Sequence, residues 1–229
     1  AGTLVATLGV RNLAIIAEAD AILVCDLDRG QEVKGVVEQI RIHSPLHMDF
    51  PTVTLESLPG AGRRFADWLR LRALPTWSTL GQARTGQFAE ALALDGRKPG
   101  LSHRTRVQTR QIFVYAQAGL MGWQGPWQHI VSSGLALLRN TFIREDGLSR
   151  SLVSDDGAPL DDTARLYDQA FVLLAMATAC GAGVDATSVE ATAIRLRDSL
   201  LGQALPNGGF KEAGEHPYQA NAHMHLLEA

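Results

Sequence analysis

Apolar positions change period once along this chain, near residue 60. Before that point Leu4–Val10, Leu13–Ala17 and Ala21–Leu27 are short runs rich in Val and Ile, broken by Gly9, Asn12 and Asp20. That pattern predicts three strands. Val33, Val36, Val37 and Ile40 then recur at helical spacing, with Glu32, Lys34 and Glu38 off the stripe, and predict a helix. The run SPLHMDFPTVTLESLP holds three prolines and no sustained period, which reads as a linker. The boundaries are therefore residues 1–42, a linker over 43–59 and a second part over 60–229.

The second part is patterned almost wholly as helix: Arg63–Leu74, Arg104–Met121, Trp127–Phe142, Thr163–Gly181, Ser188–Ala204 and one opening near Tyr218. Thr163–Gly181 is apolar nearly all round and should be buried, with Asp161 or Asp162 as its N-cap. Ser188–Ala204 is amphipathic, with Val189, Ala193, Leu196 and Leu200 on one stripe. Alternation of buried and half-exposed helices predicts two concentric layers. Two Asp-Gly turns, at Asp146-Gly147 and Asp156-Gly157, flank LSRSLVS and fit a small hairpin. No internal sequence repeat is evident.

Composition narrows the function classes. Of 229 residues, 46% are hydrophobic and 20% charged, as in an ordinary globular protein. A formal charge of −3 leaves no basic excess for nucleic acid. The longest apolar run, Ala170–Val184, falls short of the roughly 20 residues of a membrane span. Cys25 and Cys180 make no disulfide framework and point to a reducing cytoplasm. The chain starts without Met or a basic leader and stops within a predicted helix, so both ends read as cut.

Three places carry candidate chemistry. At about 100° per residue Asn221, His225 and Glu228 share one helical stripe, while His223 points away, so a zinc site at this HxH pair would need a strand. His225 is either a core histidine bonded to Glu228 or a site residue. Arg110 falls on the apolar stripe of Val107, Val114, Ala118 and Met121; it is either a structural ion pair or aimed at a polar ligand. Arg104 and Arg106 read as solvated residues at a helix start. Tyr167 opens the apolar helix, as a core residue or a pocket wall. Phe88 and Phe210 sit in glycine-rich turns, as pocket rims or loop anchors. Gly60–Arg64 is a weak match to a phosphate-cradling turn.

Three segments, RVQTRQIFVYAQA (106–118), APLDDTARLYDQAF (158–171) and ANAHMHLLEA (220–229), together resemble the N-acylglucosamine 2-epimerase superfamily, which includes cellobiose 2-epimerases and mannose isomerases. The likeness covers about residues 60–229. It implies a mainly α fold, a partial (α/α)6 barrel with six of twelve helices, around a sugar pocket. It implies that Arg110 and His225 act in catalysis and that Tyr167 and Asn221 line the pocket. Glu228 and Phe88 complete the expected substrate-binding set. The family's remaining acid/base residues lie on later helices, so this chain alone is expected to be inactive.

Residues 1–42 resemble the end of the nucleotidyltransferase domain of bacterial mannose-1-phosphate guanylyltransferases, and predict a small βββα remnant without the nucleotide loop. Together the two likenesses imply a cytoplasmic aldose–ketose isomerase or 2-epimerase. Its substrate would be a sugar or sugar phosphate, with mannose (6-phosphate)–fructose (6-phosphate) interconversion favoured because a guanylyltransferase consumes mannose 1-phosphate. No cofactor or metal, no nucleic acid and no membrane is expected, and a homodimer is compatible. Guanylyl transfer by the parent protein and a non-catalytic sugar-binding or assembly module are the alternatives.

Overall fold

The computed structural model describes residues 5–17, 21–43, 58–206 and 208–229. Its contacts divide into two units, Ala1–Arg63 and Arg64–Ala229. In the first, β1 (Leu13–Ala17) and β2 (Ile22–Asp26) form an antiparallel hairpin with Leu13 opposite Asp26. Asn12 adopts a φ of +55° and donates from its amide to Asp26 and Asp28 at 2.8 Å each, fixing the strand ends together. A 3-10 turn leads into α1 (Val33–His43). The expected strand over 4–10 does not form among the described residues 5–10, where Gly9 turns the backbone left-handed at φ +69°. No described residue between 5 and 43 is buried.

The helical part starts earlier than expected. α2 (Leu58–Trp68) opens at Leu58, because Pro59 falls in the first turn, where its missing N–H has no bond to make. It continues through a π turn at Leu69–Ala73, α3 (Leu74–Thr76) and a second π turn at Trp77–Gly81. Gly60–Arg64 is thus helix, and no loop exists there to wrap a phosphate. Residues 44–57 of the expected linker lie outside the described residues.

α4 (Thr105–Leu120), α6 (Leu166–Gly181) and α8 (Ala220–Glu228) lie side by side as an inner row. α5 (Trp127–Leu137) packs outside α4 and α7 (Ala186–Leu201) outside α6. The two expected layers are therefore present. Ile112, Tyr115, Leu135, Phe142, Val172, Met176 and Leu196 fill the space between them without solvent exposure. Gly134 lets α5 approach α4 closely, since a Cβ there would sit 2.9 Å from Ile112 Cγ1. In place of one hairpin, the loops give a three-stranded sheet of β3 (His103–Arg104), β4 (Leu152–Val153) and β5 (Pro159–Asp161). The Asp146-Gly147 turn closes separately, under an Ile143–Ser149 bridge.

A structural repeat of about 60 residues, invisible in the residue types, underlies this arrangement. The π turn Trp77–Gly81 recurs as Leu138–Phe142. After each, a tight turn is held by a side-chain clamp: Gln108 binds the backbone N–H and carbonyl of Phe88 at 2.8 and 2.7 Å, and Gln169 does the same to Ser149 at 2.7 and 2.9 Å. In the third copy the Phe210 N–H donates to His223 Nε2 at 3.0 Å. Gln108, Gln169 and His223 are therefore equivalent positions on the three inner helices.

Candidate active site

The clamps set the register of everything near them. Two residues beyond each anchor stand Arg110, Phe171 and His225; two before each stand Arg106, Tyr167 and Asn221. Equivalent positions on adjacent parallel helices face the same side, so six residues form two rows one helical turn apart, about 5.4 Å. His223 is spent on the clamp. Its Nε2 accepts from Phe210 and its Nδ1 lies 2.9 Å from the Gln219 carbonyl, so both ring nitrogens are engaged. α8 is helical, so the HxH pair diverges.

In the second row the Arg110 Nη2 donates to the Tyr167 hydroxyl at 2.5 Å, and its Cζ lies 4.3 Å from the centroid of the Phe171 ring. The His225 ring meets Tyr167 edge-on at 5.2 Å and Phe171 at 4.7 Å. Its Nδ1 is 2.8 Å from Glu228 Oε2, which leaves Nε2 without an intramolecular bond among the described residues. The structure thus brings Arg110, Tyr167 and His225 together from helices far apart in sequence. Asn221 is exposed and lines a cleft of about 230 Å³ with Arg106, Arg165, Tyr167, Glu212 and Gln219.

Phe88 does not join them. It is fully buried and stacks on Tyr115 at 6.2 Å, because the Gln108 clamp draws its turn into the core. Phe210 packs partly buried beside His223, 6.4 Å between rings.

The two arginines of α4 exchange the environments the residue pattern predicts. Arg110 is exposed, and it is balanced by aromatic faces rather than by an acid. Val114 and Met121 on its stripe are exposed as well; the buried face of α4 is the one carrying Ile112, Tyr115 and Ala116. Arg106, expected to be solvated, pairs at 3.2 Å with Asp168, whose carboxylate is fully buried and also accepts from Ser151 Oγ at 2.8 Å. Burial pushes the Asp168 carboxyl above its ordinary value, with the Ser151 bond and the Arg106 charge opposing. Arg104 likewise pairs with Glu90, at 2.7 Å.

The N-cap of α6 is a second correction. Asp161 accepts from Thr163 N and pairs with Arg165, and neither it nor Asp162 caps the helix. The Glu212 carboxylate instead crosses from a later loop and accepts from Leu166 N and Tyr167 N at 2.9 Å each. A carboxylate at a helix N-terminus satisfies orphan N–H groups and meets the positive end of the dipole. Glu212 therefore locks the α6–α8 connection onto the residue that carries the site's hydroxyl. The residue types give no sign of this role, because Glu212 lies 46 residues after the N–H of Leu166 that it accepts.

Family comparison matches residues 86–229 to the N-acylglucosamine 2-epimerase (GlcNAc 2-epimerase) model. The chain belongs to that family. Residues 1–40 match a MannoseP isomerase/GMP-like beta-helix domain, so the N-terminal likeness is to a β-helix domain rather than to the nucleotidyltransferase domain itself. A mannose-6-phosphate isomerase from Rhizobium meliloti (strain 1021) is 33% identical over 169 residues, covering 72% of this chain and 44% of that protein. Among solved structures, the cellobiose 2-epimerase of Spirochaeta thermophila DSM 6192 superposes with a TM-score of 0.68 at 23% identity, covering 78% of this chain and 49% of its own. A D-mannose isomerase superposes at 0.64 and 23% identity, over 79% and 46%. The chain thus shares part of the barrel fold of these proteins and spans about half their length.

Proposed function

We propose that the Arg110–Tyr167–His225 cluster is one wall of the sugar site of an aldose–ketose isomerase or 2-epimerase, acting on mannose or its 6-phosphate to give the corresponding fructose. The observation that carries the reading is that, among the described residues, His225 Nε2 has no bond and the Arg110 guanidinium beside it has no carboxylate partner. In this chemistry the ring opens, a base takes the proton from C2 next to the C1 carbonyl, and an enediolate forms. Return of the proton to C1 gives the ketose; return to the other face of C2 gives the epimer.

His225 suits proton relay at O1 or O5, because an imidazole can both take and give a proton and Glu228 holds the ring by Nδ1. Arg110 meets the charge that develops on O1 in the enediolate. A guanidinium already neutralised by an acid would be a poor partner for that charge. Tyr167 accepts from Arg110 and retains its own O–H for a sugar oxygen. Asn221 is placed to hold a hydroxyl. The proton at C2 needs a base that the described residues do not place beside this cluster, and the family resemblance puts it on later helices.

The test uses the protein extended to the length of its relatives, incubated with mannose or mannose 6-phosphate in D2O. Deuterium at C2 of recovered sugar together with ketose formation is expected, and His225→Gln should cut both at least a hundredfold. Exchange that survives that substitution at the original rate would remove His225 from the chemistry. The match of residues 1–40 favours one alternative, a parent protein whose main activity is guanylyl transfer to mannose 1-phosphate. It predicts GDP-mannose formation that His225→Gln leaves unchanged.

A further inference from the structure

The row of Arg106, Tyr167 and Asn221 opens on the cleft of about 230 Å³ that also touches Arg165. This is smaller than the roughly 300–1,000 Å³ that whole small-molecule ligands occupy, so it suits a substituent of a ligand rather than a second one. Its charge is unusual for a sugar site. Arg106 and Arg165 each commit one donor to a carboxylate, at 3.2 and 3.1 Å. Neither partner, Asp168 or Asp161, lines the cleft. Its one lining acid, Glu212, is occupied: its oxygens accept the N–H groups of Leu166, Tyr167 and Ala213.

We propose that this cleft seats the phosphate of a sugar phosphate whose carbonyl end lies against Arg110 and His225. The inference rests on the sugar-site reading above and adds the substrate class to it. Reach agrees with a terminal phosphate. The Arg106–Tyr167–Asn221 row is one helical turn, about 5.4 Å, from the Arg110–Phe171–His225 row. From C1 of an open-chain hexose, five C–C bonds of about 1.5 Å and the C6–O–P link span roughly 8 to 9 Å when extended, so a carbonyl end at the Arg110–His225 row reaches the Arg106–Asn221 row with the carbon chain bent. A phosphate monoester brings close to two negative charges and three acceptor oxygens, which match two guanidinium forks and the Asn221 amide. Tyr167, which stands in the first row and touches Arg110 and His225 of the second, would lie along the carbon chain between them.

Isothermal titration of the protein extended to the length of its relatives with mannose, mannose 6-phosphate and inorganic phosphate tests this. Mannose 6-phosphate is expected to bind at least tenfold more tightly than mannose, and inorganic phosphate to compete with the phosphorylated sugar only. Arg165→Gln comes first among variants, because its ion pair with Asp161 is partly exposed and its loss should leave the fold intact. It should weaken mannose 6-phosphate about tenfold and leave mannose unchanged. Arg106→Lys, which keeps a cation for buried Asp168 but loses the fork, should act in the same direction, with far-ultraviolet circular dichroism confirming the helices. Equal affinity for the two sugars, or a variant that weakens both alike, would overturn the phosphate seat while leaving the sugar site standing. Failure of the extended wild-type protein to bind either sugar would overturn both.

Discussion

Arg106 and Arg110 are the same residue type one turn apart on α4, and their surroundings give them opposite tasks. Arg106 leans on a buried carboxylate; Arg110 lies over Phe171 with most of its donors open. If Arg110 meets an oxyanion present only in the enediolate, Arg110→Lys in the protein extended to its relatives' length should lower kcat tenfold or more and change KM little. A point ammonium reproduces neither the fork nor the stacking. Steady-state kinetics with mannose decide it, and a raised KM with kcat unchanged would make Arg110 a binding residue alone. Asp168 makes a prediction about stability. Its folded-state pKa is raised by burial, so the folded chain holds this proton more tightly than the unfolded chain does. Stability should then rise as pH falls from above the raised value toward the ordinary carboxylate value of 3.8. Melting temperatures of wild type and Asp168→Asn, compared from pH 7 down to pH 4, should move in favour of wild type as the pH falls toward the ordinary carboxylate value.

Among the elements, the connection from α7 to α8 is held by Glu212. Truncation to Ala would remove an N-cap worth about 0.5–2 kcal/mol and leave buried N–H groups unsatisfied at about 1–3 kcal/mol each. Glu212→Ala is expected to cost about 2 kcal/mol or more, read as a lower denaturant midpoint with an unchanged slope. Glu212→Gln keeps one acceptor and should fall between. Because Tyr167 N is one of the groups released, weaker sugar binding should accompany the loss, whereas a cap with no bearing on the site would lower stability alone. The repeat supplies the logic of these elements: turn, clamp and inner helix recur, and the clamp residue sets which side chains face the shared concavity.

At the scale of the molecule, the two units differ in how they are stabilised. Residues 64–229 enclose a continuous core from Leu74 to Ala222, whereas no described residue between 5 and 43 is buried. Some 40 residues are near the limit below which a chain needs outside support to fold. Removal of residues 1–43 is therefore expected to leave the main melting transition in place within a degree or two, and a peptide of those residues should show no cooperative transition by circular dichroism. A drop of several degrees in the shortened chain would show that the first unit stabilises the second. No described helix is long and apolar enough to cross a membrane.

Local periodicity was enough to locate β1, β2 and all the long helices of the second unit, because each element carries its own spacing of apolar residues. It also put Asn221, His225 and Glu228 on one stripe, since one helix holds all three. It was not enough wherever an interaction joins distant segments. The environments of Arg106 and Arg110 depend on α6, which supplies Asp168 to one and Phe171 to the other. The α6 cap comes from Glu212 on a later loop, and Phe88 is in the core because Gln108 reaches back to its backbone. A single helix fixes angles around its own axis; which partner stands at each angle was decided only when α4, α6 and α8 packed side by side.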